Sequence, residues 1–116
     1  MSGWVTGVLA RVEVADLDAA LPLYRELAGT DEVRRFRAGP VELAWVGDFL
    51  LLQGAPADLE RVRRVATVLV TDAEAVAAAV TAVGGELLEG PAPGPNGPRL
   101  VARHPDGAVV EYVQPA

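Results

Sequence analysis

The sequence predicts an α+β domain of two tandem βαβββ modules, and three observations lead there. Displacing the chain by 56 residues lays Ala10 on Ala66, Val12 on Val68, Val14 on Val70, Asp16 on Asp72, Ala19 on Ala75 and Gly29 on Gly85. Two copies are too few for a solenoid, so the repeat is a duplicated unit. Each copy reads as an apolar strand, an Asp, an Ala-rich helical stretch and a Gly, and three short extended segments follow each helix. At 116 residues the chain is one domain with room for a real core. Module one is expected over about 8–53, a linker over 54–60 and module two over about 61–114.

The elements can be justified in order. Leu9–Val14 and Val65–Val70 are β-branched and apolar, as strands require. Asp16 and Asp72 stand where an N-cap carboxylate accepts the first helical N–H groups and complements the helix dipole. Leu17, Ala20, Leu21, Tyr24 and Leu27 recur at helical spacing, predicting a helix over about Leu17–Ala28 that Pro22 should bend. Gly29 and Gly84-Gly85 supply the stops. Module one then continues through Val33–Arg37, Val41–Val46 and Phe49–Gln53, with turns at Gly39-Pro40 and Gly47-Asp48. Module two continues through Glu86–Glu89, Arg99–Arg103 and Ala108–Val113, with the Gly90–Pro98 loop and a Pro105-Asp106-Gly107 turn.

Composition excludes whole classes of function. The net charge is −6 and Lys is absent, which argues against a phosphate-backbone binder; no nucleic-acid partner is expected. Arg61, Arg63 and Arg64 sit among Asp58 and Glu60 and read as a solvated face. With no Cys, disulfides, thiolate zinc sites and thiol nucleophiles are excluded. Residues 1–7 carry no signal-type pattern, and no stretch approaches the roughly 20 apolar residues of a membrane span. The expectation is a cytoplasmic protein without a membrane partner.

Period-two alternation assigns the strand faces. The helix-covered face is expected to hold Ala10, Val12, Val14, Ala66, Val68, Val70, Leu50, Leu52, Leu100, Ala102, Val110 and Tyr112. The other face is expected to hold Leu9, Arg11, Glu13, Val65, Thr67, Leu69, Phe49, Leu51, Gln53, Arg99, Val101, Arg103, Val109, Glu111 and Val113. Apolar walls with a few polar groups suit a concave ligand cleft, although the charges can also pair across a half-exposed sheet.

Asp16–Gly29, running Asp-Leu-Asp-Ala-Ala-Leu-Pro-Leu-Tyr-Arg-Glu-Leu-Ala-Gly, resembles the first helix of the vicinal-oxygen-chelate superfamily of glyoxalases, bleomycin-resistance proteins and dioxygenases. Gly84-Gly85-Glu86 and the terminal His104-Pro105-Asp106-Gly107-Ala108-Val109-Val110-Glu111 resemble its second module. The resemblance runs from about Val8 to Gln114. It implies curved mixed sheets around a concave cleft, and a homodimer. Members usually hold a divalent metal through His or Glu on the inner strand faces. The resemblance places two of those positions at Leu9 and Val65, a third at Glu111, and a fourth, counted from Gly47, at Leu51. Three aliphatics and one carboxylate do not make a metal site that wants three protein ligands, so neither metal nor cofactor is expected.

The cleft residues expected on this basis are Leu9, Arg11, Trp45, Phe49, Leu51, Val65, Thr67, Val101, Arg103 and Glu111. Glu111 is the candidate catalytic group, with a salt bridge to Arg11 or Arg103 as the alternative account of it. His104 reads as a surface turn residue, and Trp4 or Trp45 as a stacking or packing group. Two functions follow. One is a metal-free small-molecule binder, similar to the drug-sequestering members, holding an aromatic or drug-like ligand. The other is a metal-independent lyase or isomerase using Glu111 as acid or base and Arg11 for a developing oxyanion. A metal-dependent glyoxalase or dioxygenase is disfavoured by the ligand positions.

Overall fold

The computed structural model describes residues 3–116. In chain order the elements are β1 (Val5–Glu13), α1 (Leu17–Ala28), β2 (Arg34–Ala38), β3 (Val41–Val46), β4 (Phe49–Gln53), α2 (Pro56–Arg61), β5 (Thr67–Val70), α3 (Ala73–Ala82), β6 (Glu86–Ala92), β7 (Arg99–Arg103) and β8 (Val109–Val113). This is the expected α+β class with βαβββ order twice over. The chain divides into two compact units, Leu9–Arg63, and Arg64–Ala116 with the chain up to Val8. The start of β1 therefore belongs with module two, where the Trp4 carbonyl accepts the Thr71 N–H at 2.9 Å. The expected linker is not extended: Pro56 opens the short helix α2, which buries Leu59.

In the first unit the strand order is β2-β3-β4-β1. β4 runs parallel to β1, with Arg11 opposite Leu50 and Val12 opposite Leu51. α1 begins where Asp16 accepts the N–H groups of Asp18 and Ala19, and it ends at Gly29, in the left-handed region at φ 68°. There the Gly29 N–H bonds to the Glu26 carbonyl and the Thr30 N–H to the Arg25 carbonyl, a pairing that satisfies two orphan acceptors and favours glycine. Pro22 is carried inside the helix without ending it. The face of α1 buries Leu17 and Leu21 against Ala44, Val46 and Leu51, flanked by Val12, Val14, Tyr24 and Phe49. Each such Leu contributes about 1.5–3 kcal/mol by leaving water.

The second unit repeats the plan in the order β5-β8-β7-β6. Thr67 lies opposite Glu111 across β5 and β8, and Val101 lies opposite Glu111 across β7 and β8. Asp72 caps α3 through the Ala75 N–H. Val76, Ala77 and Val80 of α3 pack on Val70, Leu100 and Ala102, flanked by Val68 and Tyr112.

One assignment of faces is overturned. Leu50 and Leu52 were expected under α1, and Phe49, Leu51 and Gln53 on the opposite face; instead Leu51 and Phe49 pack with α1, and the Gln53 side chain accepts the Leu17 N–H at 2.8 Å. The cause is hairpin length. In module one, Val46 pairs with Phe49 across the two-residue turn Gly47-Asp48, whereas in module two Ala102 pairs with Val110 across a longer connection. The displacement between modules is 56 for Arg11 onto Thr67 but 61 for Gln53 onto Gln114, whose side chain accepts the Ala73 N–H in the same way. An odd change of register exchanges the two faces of a strand. The counterpart of Glu111 in module one is therefore Leu50, not Leu51.

Candidate functional site

The face of the second unit turned away from α3 carries a chain of charges. β8 presents Glu111 between Thr67 on β5 and Val101 on β7. The Thr67 hydroxyl donates to Glu111 Oε1 at 2.8 Å. The Arg99 guanidinium reaches Oε2 through Nε at 3.1 Å and Nη2 at 3.0 Å, and its Nη1 donates to Glu89 Oε1 at 3.2 Å. Glu89 Oε2 in turn accepts from Arg64 Nη2 at 3.0 Å. Around Glu111 the wall is apolar or neutral: Val101, Val113 and Thr67 are buried. Burial alone would lower the pKa of Arg99, but the adjacent Glu111 carboxylate and the hydrogen bonds to Glu111 and Glu89 outweigh it and raise it.

Glu111 pairs with Arg99, a cation the sequence reading does not name for it, while Arg103 pairs with Glu86 at 3.1 Å and Arg11 donates to the Val62 carbonyl at 2.6 Å. Arg99 and Arg103 flank Val101 symmetrically along β7, so spacing alone could not choose between them. Thr67, Val101 and Glu111 do share one face. Val65 precedes β5 and is 70% exposed, and its N–H bonds to the Val109 carbonyl.

In the first unit, Leu9 and Leu50 are buried. Arg63 makes two hydrogen bonds to Glu13, at 2.9 and 3.0 Å, which hold the Glu13 carboxyl below the usual range. Trp45 sits under the Arg34 guanidinium, 5.6 Å from the ring centroid, and donates its Nε1 hydrogen to the Gly47 carbonyl. Phe49 and Leu51 leave the candidate set, Phe49 packing edge-to-face on Tyr24 at 4.9 Å. His104 lies in the β7–β8 turn with Nε2 2.6 Å from the Tyr112 hydroxyl, and burial, then Asp106, raises the Tyr112 pKa.

Leu9, Val65 and Leu50 offer no lone pair, and both oxygens of Glu111 already accept hydrogen bonds. Among the described residues no three His, Cys, Asp or Glu side chains cluster as a metal would need. No helix among them is long and apolar enough to cross a membrane.

Comparison with known proteins places this geometry. No protein-family model matches the chain, and no curated protein does. Among solved structures, an uncharacterized protein from Methanosarcina mazei is 36% identical over 97% of this chain and 94% of its own, with a TM-score of 0.87. Methylmalonyl-CoA epimerase from Mycobacterium tuberculosis is 20% identical over 100% of this chain and 92% of its own, at 0.75. The Streptomyces coelicolor methylmalonyl-CoA epimerase, solved with 2-nitronate-propionyl-CoA, is 21% identical over 97% of both chains, at 0.68. The chain belongs to the family of the Methanosarcina mazei protein, and its fold is that of the vicinal-oxygen-chelate superfamily, shared with the epimerases.

Proposed function

We propose that this protein binds a small molecule without a bound metal, holding it against the face of module two that carries Thr67, Val101 and Glu111. The observation that supports this reading is the state of Glu111. Both of its oxygens are engaged, one by Thr67 and the other by Arg99. A carboxylate fixed in this way orients a ligand at little further cost, whereas acting as a base would surrender bonds to a buried hydroxyl and a guanidinium. The apolar wall supplies affinity and the paired charges supply direction.

A second reading has a specific observation in its favour. The structural neighbours include epimerases, one of them solved with an acyl-CoA analogue. By that analogy, Glu111 would move a proton next to a thioester carbonyl, and Arg99 would be a cation beside it. Titration with methylmalonyl-CoA separates the two, with deuterium exchange at its α-carbon measured for the wild type and for Glu111→Gln. The binder reading expects saturable binding by both proteins and no exchange by either. Exchange by the wild type that Glu111→Gln loses while still binding would establish the isomerase. If neither protein binds this thioester or an aromatic probe, the ligand-site reading fails.

A further inference from the structure

We infer that Arg64 and Arg99 form a clamp for a ligand carboxylate, and that Glu89 occupies it as an internal stand-in. The inference rests on the ligand-site reading above and names the chemistry of its polar end. The two guanidiniums converge on one carboxylate, Arg64 on Oε2 at 3.0 Å and Arg99 on Oε1 at 3.2 Å. Two donors meeting the two oxygens of a single carboxylate is the arrangement by which arginines recognise that group.

The partners differ sharply in freedom. The side chains of Arg64 and Arg99 are 11% and 25% exposed, whereas that of Glu89 is 49% exposed. The cations are embedded and the anion is the part that can leave. Its strand permits the exchange. β6 departs from regular register with β7 on both sides of Glu89, and Gly90, at φ 71°, lies against the Arg99 carbonyl where no larger residue would fit. Glu89 itself keeps its pairing with Val101, between two such irregularities.

The group that Glu89 stands in for sets the ligand class. When Glu89 swings to solvent, the bonds it accepts from Arg64 and Arg99 are left for a ligand carboxylate to make. Glu111 lies one bond further along the same chain, so it would sit at the inner end of a molecule whose carboxylate is held at the clamp. Glu89 thus competes with the ligand and sets its apparent affinity.

The test uses malonate as the anion and malonamide as its neutral isostere, with binding to the full chain followed by calorimetry and by the resonances of the Arg64 and Arg99 side chains. Glu89→Gln is expected to bind malonate at least about tenfold more tightly than the wild type, the range of one charge-assisted hydrogen bond. Glu89→Gln combined with Arg99→Gln should lose that gain, and malonamide should bind none of them. Glu89→Asp, which keeps the charge but shortens the reach, provides the same comparison if Glu89→Gln does not fold, and should fall between the two. Equal malonate affinity in the wild type and the Glu89 variants, or a gain that survives Arg99→Gln, overturns the clamp. If the clamp fails while methylmalonyl-CoA or the aromatic probe still binds, the ligand-site reading stands without it.

Discussion

The oxygens of Glu111 have a donor each, and this is why its removal should be felt beyond the lost charge. Glu111→Gln leaves Arg99, embedded and still charged, with Glu89 as its remaining carboxylate, so a loss of about 1–3 kcal/mol is expected from the shift of the urea midpoint. Thr67→Val keeps the volume and removes the hydroxyl that donates to Oε1; the expected cost is about 0.5–1.5 kcal/mol by the same measurement. Glu13 offers a cleaner titration because it lies on the surface. Its hydrogen bonds to Arg63 favour the charged carboxylate, so its folded pKa is depressed below the ordinary value of 4.5. The stability it contributes is present above the unfolded pKa and is lost as pH falls through the folded one. Side-chain carbonyl resonances should place the Glu13 midpoint below 4.5 in the wild type and return it toward that value in Arg63→Gln.

The two helices are started by the same pair of devices. Asp16 and Asp72 cap the first turn of α1 and α3, and Gln53, at the end of β4, and Gln114, just past β8, each accept the N–H of the first helical residue. Only the Asp residues were legible in sequence, because a cap next in the chain is a local signal and an acceptor from another strand is not. Gln53→Ala and Gln114→Ala should each cost about 0.5–1.5 kcal/mol in chemical denaturation. The same contrast explains the strand faces. Val12, Val14, Val68, Val70, Leu100 and Ala102 were assigned correctly to the helix side from alternation alone. β4 was not, because its parity depends on how many residues the preceding hairpin consumes, and counting from Gly47 as though it matched Gly107 carries the wrong number forward. Leu51 and Phe49 were drawn into the candidate site by that count. Thr67, Val101 and Glu111 were placed on one face without help from it.

For the whole molecule, the class and the duplicated order were legible because the repeat is internal to the sequence and needs no outside reference. The charge network was not, since Glu89 reaches Arg99 and Arg64 through an irregular strand that period-two reasoning describes as regular. High pH should expose the same packing from another side. Burial raises the Tyr112 pKa, so its folded state prefers the neutral phenol, and the stability this provides is lost as pH rises from the unfolded value, about 10, through the folded one.

Native mass spectrometry of chelator-treated protein, with and without Glu111→Gln, tests the central claim that a ligand site survives here without a metal. The account predicts a small-molecule adduct that persists through chelation and weakens when Glu111 is replaced. An adduct that disappears with the chelator and returns with zinc, nickel, iron or manganese, or one indifferent to Glu111, would contradict it.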